Sequence, residues 1–312
     1  MATLNLYELP PLAGLPDLTG YDWIIVNSSG GKDSQALLHA VYLAARAAGM
    51  LDRVVVLHCD LGEVEWQGTR HLARRQAAHY GFRFEVRKRL GAELLAYIRA
   101  RHQQRWPRLG TRFCTASFKR DVGGRLITEL VKELPKEQRR VRRPRVLYVM
   151  GIRGAESCGR AGMKPFEQHA KFTSPRREVD QWLPIHGWSE AQVWECIRAA
   201  GTPAHPIYSH GLTRASCSFC VLASGADLMR ACQLRPDLAA DYLDAEREMG
   251  DDFQHRRPLA VIAAQAAADP HPLTPIKTCL PCRGAGERPG QTTACPSCDG
   301  SGGLRSAYRL AA

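Results

Sequence analysis

Short apolar runs alternate with helical periodicity over the first half of the chain. Residues 21–27 (YDWIIVN) and 53–58 (RVVVLH) are continuous apolar stretches of strand length, the pattern of strands buried on both faces. Between them, Ala36, Leu37, Ala40, Val41, Ala44 and Ala45 recur three and four apart, which predicts an amphipathic helix over 32–48. The alternation continues with a helix at 66–80, a strand at 82–86, helices at 92–100 and 118–133, and a strand at 146–150 (VLYVM). Strands separated by helices predict an α/β fold, a parallel sheet covered on both faces. Ser189 caps a further amphipathic helix ending at Ala200, and residues 225–250 read as helical. Past about residue 266, Pro, Gly, Thr and Cys replace the periodic pattern. The expected organisation is a lead-in over 1–20, an α/β domain over 21–160, a helical cysteine-bearing extension over 161–265, and a linker with a small metal module over 266–312.

Composition narrows the class. The 312 residues are 45% hydrophobic and 24% charged, enough apolar material for an ordinary core. No apolar run approaches the roughly 20 residues that span a bilayer; the best, 259–268, is interrupted by Gln265. The opening MATLNLYELPPLAGLPDL lacks the basic start and apolar stretch of a secretory signal. A cytoplasmic protein without membrane contact is expected, its 11 cysteines being thiols, metal ligands or core residues rather than a disulfide framework. The net charge of +12 is concentrated in residues 70–145, which hold 22 Lys and Arg against 6 Asp and Glu. Its dense parts are Arg87-Lys88-Arg89 and residues 139–145 (RRVRRPR). Such a segment suits a polyanion, nucleic acid first, or forms a solvated arginine-rich face.

The most specific motif is Ser28-Ser29-Gly30-Gly31-Lys32-Asp33-Ser34, between a predicted strand and a predicted helix. Glycines let backbone approach a phosphate, and a helix N-terminus supplies free N–H donors. The Walker A pattern fails, because Val26 replaces its first glycine and Asp33 follows Gly31-Lys32. The sequence S-G-G-K-D-S in this setting resembles the PP-loop pyrophosphatases, the adenine nucleotide alpha hydrolase superfamily (HUP-like). More narrowly it resembles their phosphoadenosine phosphosulfate reductase-like branch, which includes DNA phosphorothioation sulfurtransferases. Further elements recur in order: residues 55–62 (VVLHCDLG), Arg112-Phe113-Cys114-Thr115 with Lys119, Gly151-Ile152-Arg153 with Glu156-Ser157 and Arg160, residues 184–189 (PIHGWS) with Val193-Trp194, and Tyr208, Gly211, Arg214 and Cys217-Ser218-Phe219-Cys220.

The resemblance implies binding of ATP with Mg2+ and release of pyrophosphate on adenylation of an acceptor. Ser29, Gly30, Gly31 and Ser34 would cradle the pyrophosphate, and Lys32 would neutralise charge developing on it. Asp33 would hold Mg2+ or cap the helix. Asp60 would contact the ribose or the metal, or is a turn residue at a strand end. Arg153, with Gly151 beside it, and Arg160 would grip phosphate or an acidic acceptor, unless they are surface arginines. Lys32, Asp33 and Arg153 are the expected catalytic set. Cys114, Cys217 and Cys220 would converge on a 4Fe–4S cluster, with Cys158 as fourth ligand or one iron left open; zinc on the same residues is the alternative. Cys59, Cys196 and Cys232 have no partner spacing and read as buried apolar thiols.

The tail carries a repeat. Cys279, Cys282 and Gly286 are followed, after twelve residues between the pairs, by Cys295, Cys298 and Gly302, each half reading C-x-x-C-x-G-x-G. Two close thiol pairs predict a closed tetrahedral zinc site, and the repeat resembles half of the zinc domain of DnaJ-type chaperones. The expected activity is ATP-dependent adenylation with iron–sulfur-dependent sulfur transfer, onto nucleic acid (tRNA or DNA), with a sulfur donor protein as a further partner. Phosphoadenosine or adenosine phosphosulfate reduction is an alternative, although no E-C-G-x-H stands in the sequence. Sulfate adenylylation and a non-catalytic nucleotide-binding adaptor are the others.

Overall fold

The computed structural model describes residues 9–100 and 105–304. By internal contacts the chain divides into two units, each assembled from separated stretches: residues 1–59, 73–87 and 122–204, and residues 60–72, 88–121 and 205–312.

The first unit is built on a sheet. Strands β1 (Trp23–Asn27), β2 (Val54–Asp60), β3 (Arg83–Lys88), β4 (Arg145–Val149), β5 (Phe166–Gln168) and β6 (Glu178–Trp182) lie in the order β3-β2-β1-β4-β6-β5. Strands β1, β2, β4 and β6 pair in parallel, and β5 is an antiparallel edge. Ile25 stands between Val55 and Tyr148 in register. The expected α/β class with a mostly parallel sheet is therefore what the chain adopts.

The two-residue period of the strands sorts their side chains between faces. Ile24, Val26, Val54, Val56, Leu147 and Val149 pack with Leu37, Leu38 and Val41 of helix α1 (Lys32–Ala47). The alternate set, Ile25, Val55, Leu57, Val146, Tyr148 and Val179, packs with Val122, Leu126, Ile127 and Leu130. Those four residues lie on α5 (Asp121–Glu133). It continues α4 (Phe113–Thr115) through a π turn at Ala116–Arg120. Each such side chain removed from water contributes about 1.5–3 kcal/mol, so burial on both faces explains why the strands read as unbroken apolar runs. Helices α2 (Thr69–His79) and α3 (Leu94–Ala100) precede α4, and α6 (Lys136–Val141) and α7 (Cys158–Ala161) flank β4. Helix α8 (Glu190–Ala200) starts at a Ser189 cap and ends at Gly201 in the left-handed region, as the sequence predicts.

The second unit has its own core, in which Trp106 stacks on Tyr242 and meets Phe253 edge-on. Helices α9 (Gly225–Leu234), α10 (Pro236–Met249) and α11 (Leu259–Ala267) surround it. The single helical stretch expected at 225–250 is two helices, because Pro236 drives the preceding Arg235 out of helical geometry (φ −132°) and starts the next helix. A short hairpin of β7 (Lys277–Thr278) and β8 (Gly303–Leu304) closes the cysteine-rich tail. Among the described residues no helix is long and apolar enough to cross a membrane.

Candidate functional site

The chain leaves β1 toward β2 on one side and β4 toward β6 on the other, so the strand order reverses between β1 and β4. Parallel sheets bind ligands at the carboxyl ends of strands flanking such a reversal. The loop at 28–31 follows β1 there, and residues 150–153 follow β4. Gly31 is the N-cap of α1 and provides no side-chain capping bond, which leaves the helix N-terminus suited to an anion. The loop is braced from within. Ser34 Oγ donates to Gly31 O (2.9 Å) and accepts from Ser29 N (3.2 Å). Ser28 N donates to Leu57 O of β2 (2.8 Å).

Charge is concentrated behind this loop. Lys32 is buried, with Nζ 3.6 Å from Asp33 Oδ2 and 3.7 Å from Glu190 Oε1. Arg153, also buried, donates from Nε to Asp33 Oδ1 and from Nη1 to Trp188 O (3.4 Å). Gly151 permits the approach, since a Cβ there would sit 3.0 Å from the Asp33 carbonyl oxygen. Thus Lys32 and Asp33 from the first turn of α1 and Gly151 and Arg153 from the loop after β4 come together. Arg160 is turned to Glu156 one helical turn away. Asp60, the last residue of β2, accepts from Gly62 N (2.8 Å) and pairs with Arg70 (3.2 Å); it is grouped with the second unit.

Cys114, Cys217 and Cys220 all belong to the second unit. Burial pushes the Cys217 thiol up to about 12, against the opposing charge of Lys119, with repulsion from Cys220 and Cys114 adding to the rise. Burial likewise raises Cys114, with Cys220 adding to it. The charges of Cys114 and Cys220 thus both act on Cys217, with Lys119 opposing them. Cys217 is anchored by an antiparallel bridge to Glu65. Arg235 ties the same corner together, donating from Nη1 to Glu63 O, Glu65 O and Ser218 Oγ (2.8, 2.6 and 2.9 Å). Cys158 lies in the first unit and is exposed on α7. Cys59, Cys196 and Cys232 are buried, and burial raises Cys196 to about 12 and Cys232 to about 11, as expected of core thiols.

The tail cysteines form a compact group. The sulfurs of Cys279, Cys282, Cys295 and Cys298 all lie within 4.8 Å of one another, a group able to hold a metal ion. Cys279 and Cys295 are 4.0 Å apart and Cys282 and Cys298 3.7 Å. Four thiolates about 2.3 Å from one central ion take up separations of this size, whereas a four-iron cubane spreads its ligands wider. Burial acts to raise Cys295, but hydrogen bonds from the Ser297 amide and the neighbouring thiols outweigh it and bring it down to about 7.

Residues 23–223 match the profile described as the phosphoadenosine phosphosulfate reductase domain. The chain belongs to this family. Among curated relatives, an uncharacterized protein of Methanocaldococcus jannaschii is 25% identical over 224 residues, covering 72% of this chain and 47% of its own. Adenosine 5'-phosphosulfate reductase of Burkholderia cepacia is 29% identical over 76 residues, covering 24% and 28%. The chain thus spans about half the length of the first of these and less of the second. Two solved structures overlap at low similarity. Phosphoadenylyl-sulfate reductase from Candida auris gives a TM-score of 0.40 at 16% identity, over 65% of this chain and 82% of that one. The U34-tRNA thiolase NcsA from Methanococcus maripaludis with its [4Fe-4S] cluster gives 0.41 at 12%, over 95% and 86%.

The region matched to the family holds the loop, the Gly151–Arg153 element and Cys114, Cys217 and Cys220, while the four-cysteine tail lies beyond it. The basic segment is less free than its sequence suggests. Arg83 and Arg87 are committed to Glu133, Glu129 and Glu85, and Arg142 to the buried Asp22. Arg108 pairs with Asp251, and Arg143 with Glu178. Sequence reasoning missed the residues that seat the tail. Gly68 N donates to Gly284 O (2.7 Å), and the buried Glu287 meets Arg70 (3.4 Å) and His71 (3.3 Å). No motif marks these residues, because each is meaningful only through a partner some 216 positions away.

Proposed function

We propose that the chain is an ATP-dependent enzyme that adenylates an acceptor with release of pyrophosphate and takes part in iron–sulfur-dependent sulfur transfer, with nucleic acid (tRNA or DNA) as acceptor. The observation that carries this reading is the glycine loop at 28–31, which opens α1 at the reversal of strand order with no side-chain cap on the helix N-terminus. The helix N-terminus, Ser29, Gly30, Gly31, Ser34 and Lys32 would hold the triphosphate, and Asp33 and Arg153 would orient it and its Mg2+. The acceptor oxygen attacks the α-phosphorus, the bond to the β-phosphate oxygen breaks, and pyrophosphate leaves. A sulfide then attacks the activated atom, a base carbon in tRNA or a backbone phosphorus in DNA, and AMP departs with the acceptor's oxygen. Such chemistry depends mainly on positioning and charge stabilisation.

Cys114, Cys217 and Cys220 would bind an iron–sulfur cluster, which would supply an iron site for sulfide from a donor protein; the charges of Cys114, Cys220 and Lys119 acting on Cys217 support this reading. Cys158 is the candidate fourth ligand by sequence, the alternative being one open iron. The four tail thiols would hold zinc. Asp60 and Arg160 are proposed as secondary nucleotide contacts, and the compartment is proposed as cytoplasmic. Phosphosulfate reduction is the second reading, favoured by the family match.

The test is pyrophosphate and AMP formation from ATP with tRNA, DNA or sulfate as acceptor, alongside reduction of phosphoadenosine phosphosulfate by a thiol reductant. ATP-dependent pyrophosphate release with one nucleic acid, abolished in the Lys32→Ala, Asp33→Ala double variant, is expected. Release that survives in that variant, or phosphosulfate reduction without ATP, overturns the reading.

A further inference from the structure

From Arg105 to Arg120 the chain carries four arginines and a lysine and no carboxylate. All four arginines line one cavity of about 730 Å3, whose lining belongs wholly to the second unit. That size falls within the roughly 300–1,000 Å3 of ligand sites. Asp251 and His255, from the turn beyond α10, complete the lining.

The arginines stand on a fixed frame. Trp106 is buried against Tyr242 and donates from Nε1 to Asp251 O (2.9 Å), and its backbone N donates to Asp251 Oδ2 (2.8 Å). Asp251 Oδ1 accepts from Arg108 (2.8 Å), which also donates to Phe253 O (2.9 Å) and Asp252 O (2.8 Å). The one carboxylate of the lining is therefore spent on Trp106 and Arg108. Arg120 lies 3.5 Å from the exposed Asp121, a surface pair of the kind that contributes little. Arg105 and Arg112 are exposed and, among the described residues, have no carboxylate partner. Arg83, Arg87 and Arg142 of the same basic segment, by contrast, are each held by a carboxylate. Arg105, Arg112 and Arg120 thus bring accessible positive charge to one concave space.

Guanidinium groups grip phosphate through paired N–H bonds. A lone oxyanion would fill a small part of this cavity, whereas a nucleic-acid strand brings a phosphate with every nucleotide. Cys114 lies between the lining residues Phe113 and Ala116, so a strand anchored here runs next to the element that carries that thiol. We infer that this cavity seats backbone phosphates of the nucleic-acid acceptor. The inference rests on the nucleic-acid part of the proposed function and assigns it to these arginines rather than to the basic segment as a whole.

The test uses the full chain, purified anaerobically with its metals, and fluorescein-labelled tRNA, single-stranded RNA and duplex DNA. Binding is followed by anisotropy without ATP between about 50 and 200 mM salt. Arg105→Gln with Arg112→Gln removes two exposed charges and leaves the core untouched. Each phosphate contact contributes about 0.7–0.9 to the slope of log K against log salt, so this double variant is expected to lower the slope by about 1.4–1.8 and to weaken binding roughly 25–60-fold at about 100 mM. Lys136→Gln with Arg140→Gln removes two exposed charges of the same segment on α6 and is expected to leave the slope unchanged. Equal losses in the two double variants, or an unchanged slope in the first, overturn the cavity as the seat of the strand. One-for-one displacement of the strand by adenosine 3',5'-bisphosphate overturns it too, by giving the cavity to a small nucleotide. Pyrophosphate formation is scored separately. A chain that forms pyrophosphate with a nucleic acid while the Arg105→Gln, Arg112→Gln variant binds as wild type loses the cavity and keeps the proposed reaction. A variant that loses binding in a chain that forms no pyrophosphate keeps the cavity and loses the reaction.

Discussion

Removing the Arg153 guanidinium, as in Arg153→Met, takes away the buried partner of Asp33 at the centre of the loop site. Arg153 is 5% exposed and the Asp33 side chain 22%. Deleting one partner of a fully buried ion pair costs about 3–5 kcal/mol. Asp33 keeps Lys32 at 3.6 Å and some contact with water, which brings the expected loss to about 2 kcal/mol, near the value of a single charge-assisted hydrogen bond. Asp33→Asn leaves the buried guanidinium with the Trp188 carbonyl and is expected to cost more, about 3 kcal/mol. The double variant isolates the pair, with an expected coupling of about 1.5–2 kcal/mol. Urea unfolding of the four proteins measures it. Arg153→Lys is expected to restore less than half, because an ammonium cannot span Asp33 and Trp188 as a planar fork does. A coupling within about 0.5 kcal/mol of zero, the range found for independent sites, would refute the claim that Arg153 holds Asp33.

His205 gives a pH prediction. Ile207 N donates to its Nδ1 (3.3 Å), so Nε2 carries the proton and donates to Thr69 Oγ1 (3.0 Å), which donates to Trp66 O (2.7 Å). Burial holds this imidazole at about 3, below its ordinary 6.5; the unfolded chain therefore binds more protons in that window, and stability, full above pH 6.5, falls as pH drops toward 3. Thermal melts between pH 7.5 and 5 should show the fall, and His205→Gln should flatten it. Gly300→Ala forces a side chain into a left-handed backbone (φ +77°) and against the His71 imidazole; a loss of about 2 kcal/mol or more should appear as faster proteolysis of residues 276–303. Cys282→Ser should remove one tightly bound metal ion per chain without changing iron content, measured by elemental analysis; loss of iron instead would place the cluster in the tail.

Strands β1, β2 and β4 were legible because burial on both faces leaves no polar position to blur them. Strands β5 and β6 were not. Phe166, Glu167 and Gln168 are all exposed on a three-residue edge, and Glu178-Val179-Asp180-Gln181 alternates too briefly to register against the neighbouring loops. The glycine loop was readable as a local motif, and so was the tail's repeated C-x-x-C-x-G-x-G, because each completes its chemistry within a few residues or one repeat. The ion pair between Arg153 and Asp33 spans 120 positions. Its members were both flagged, yet nothing in the sequence says that they bind each other. Glu287 carries no local signature at all, since its meaning comes from burial against Arg70 and His71.

The seating of the tail on residues 68–71 also sets a schedule for synthesis. His71 emerges from the ribosome 216 residues ahead of Glu287. At about 5–20 residues per second, the stretch after β2 waits roughly 10–40 s for the partner that covers it. During that interval Gly68 has no Gly284 to accept its amide hydrogen, and the aromatic and charged residues around Trp66 face solvent or whatever holds the nascent chain. A chain cut short before residue 284 carries every strand from β1 to β6, while Gly68, Arg70 and His71 lack the partners that cover them, a difference that quality-control proteases would read.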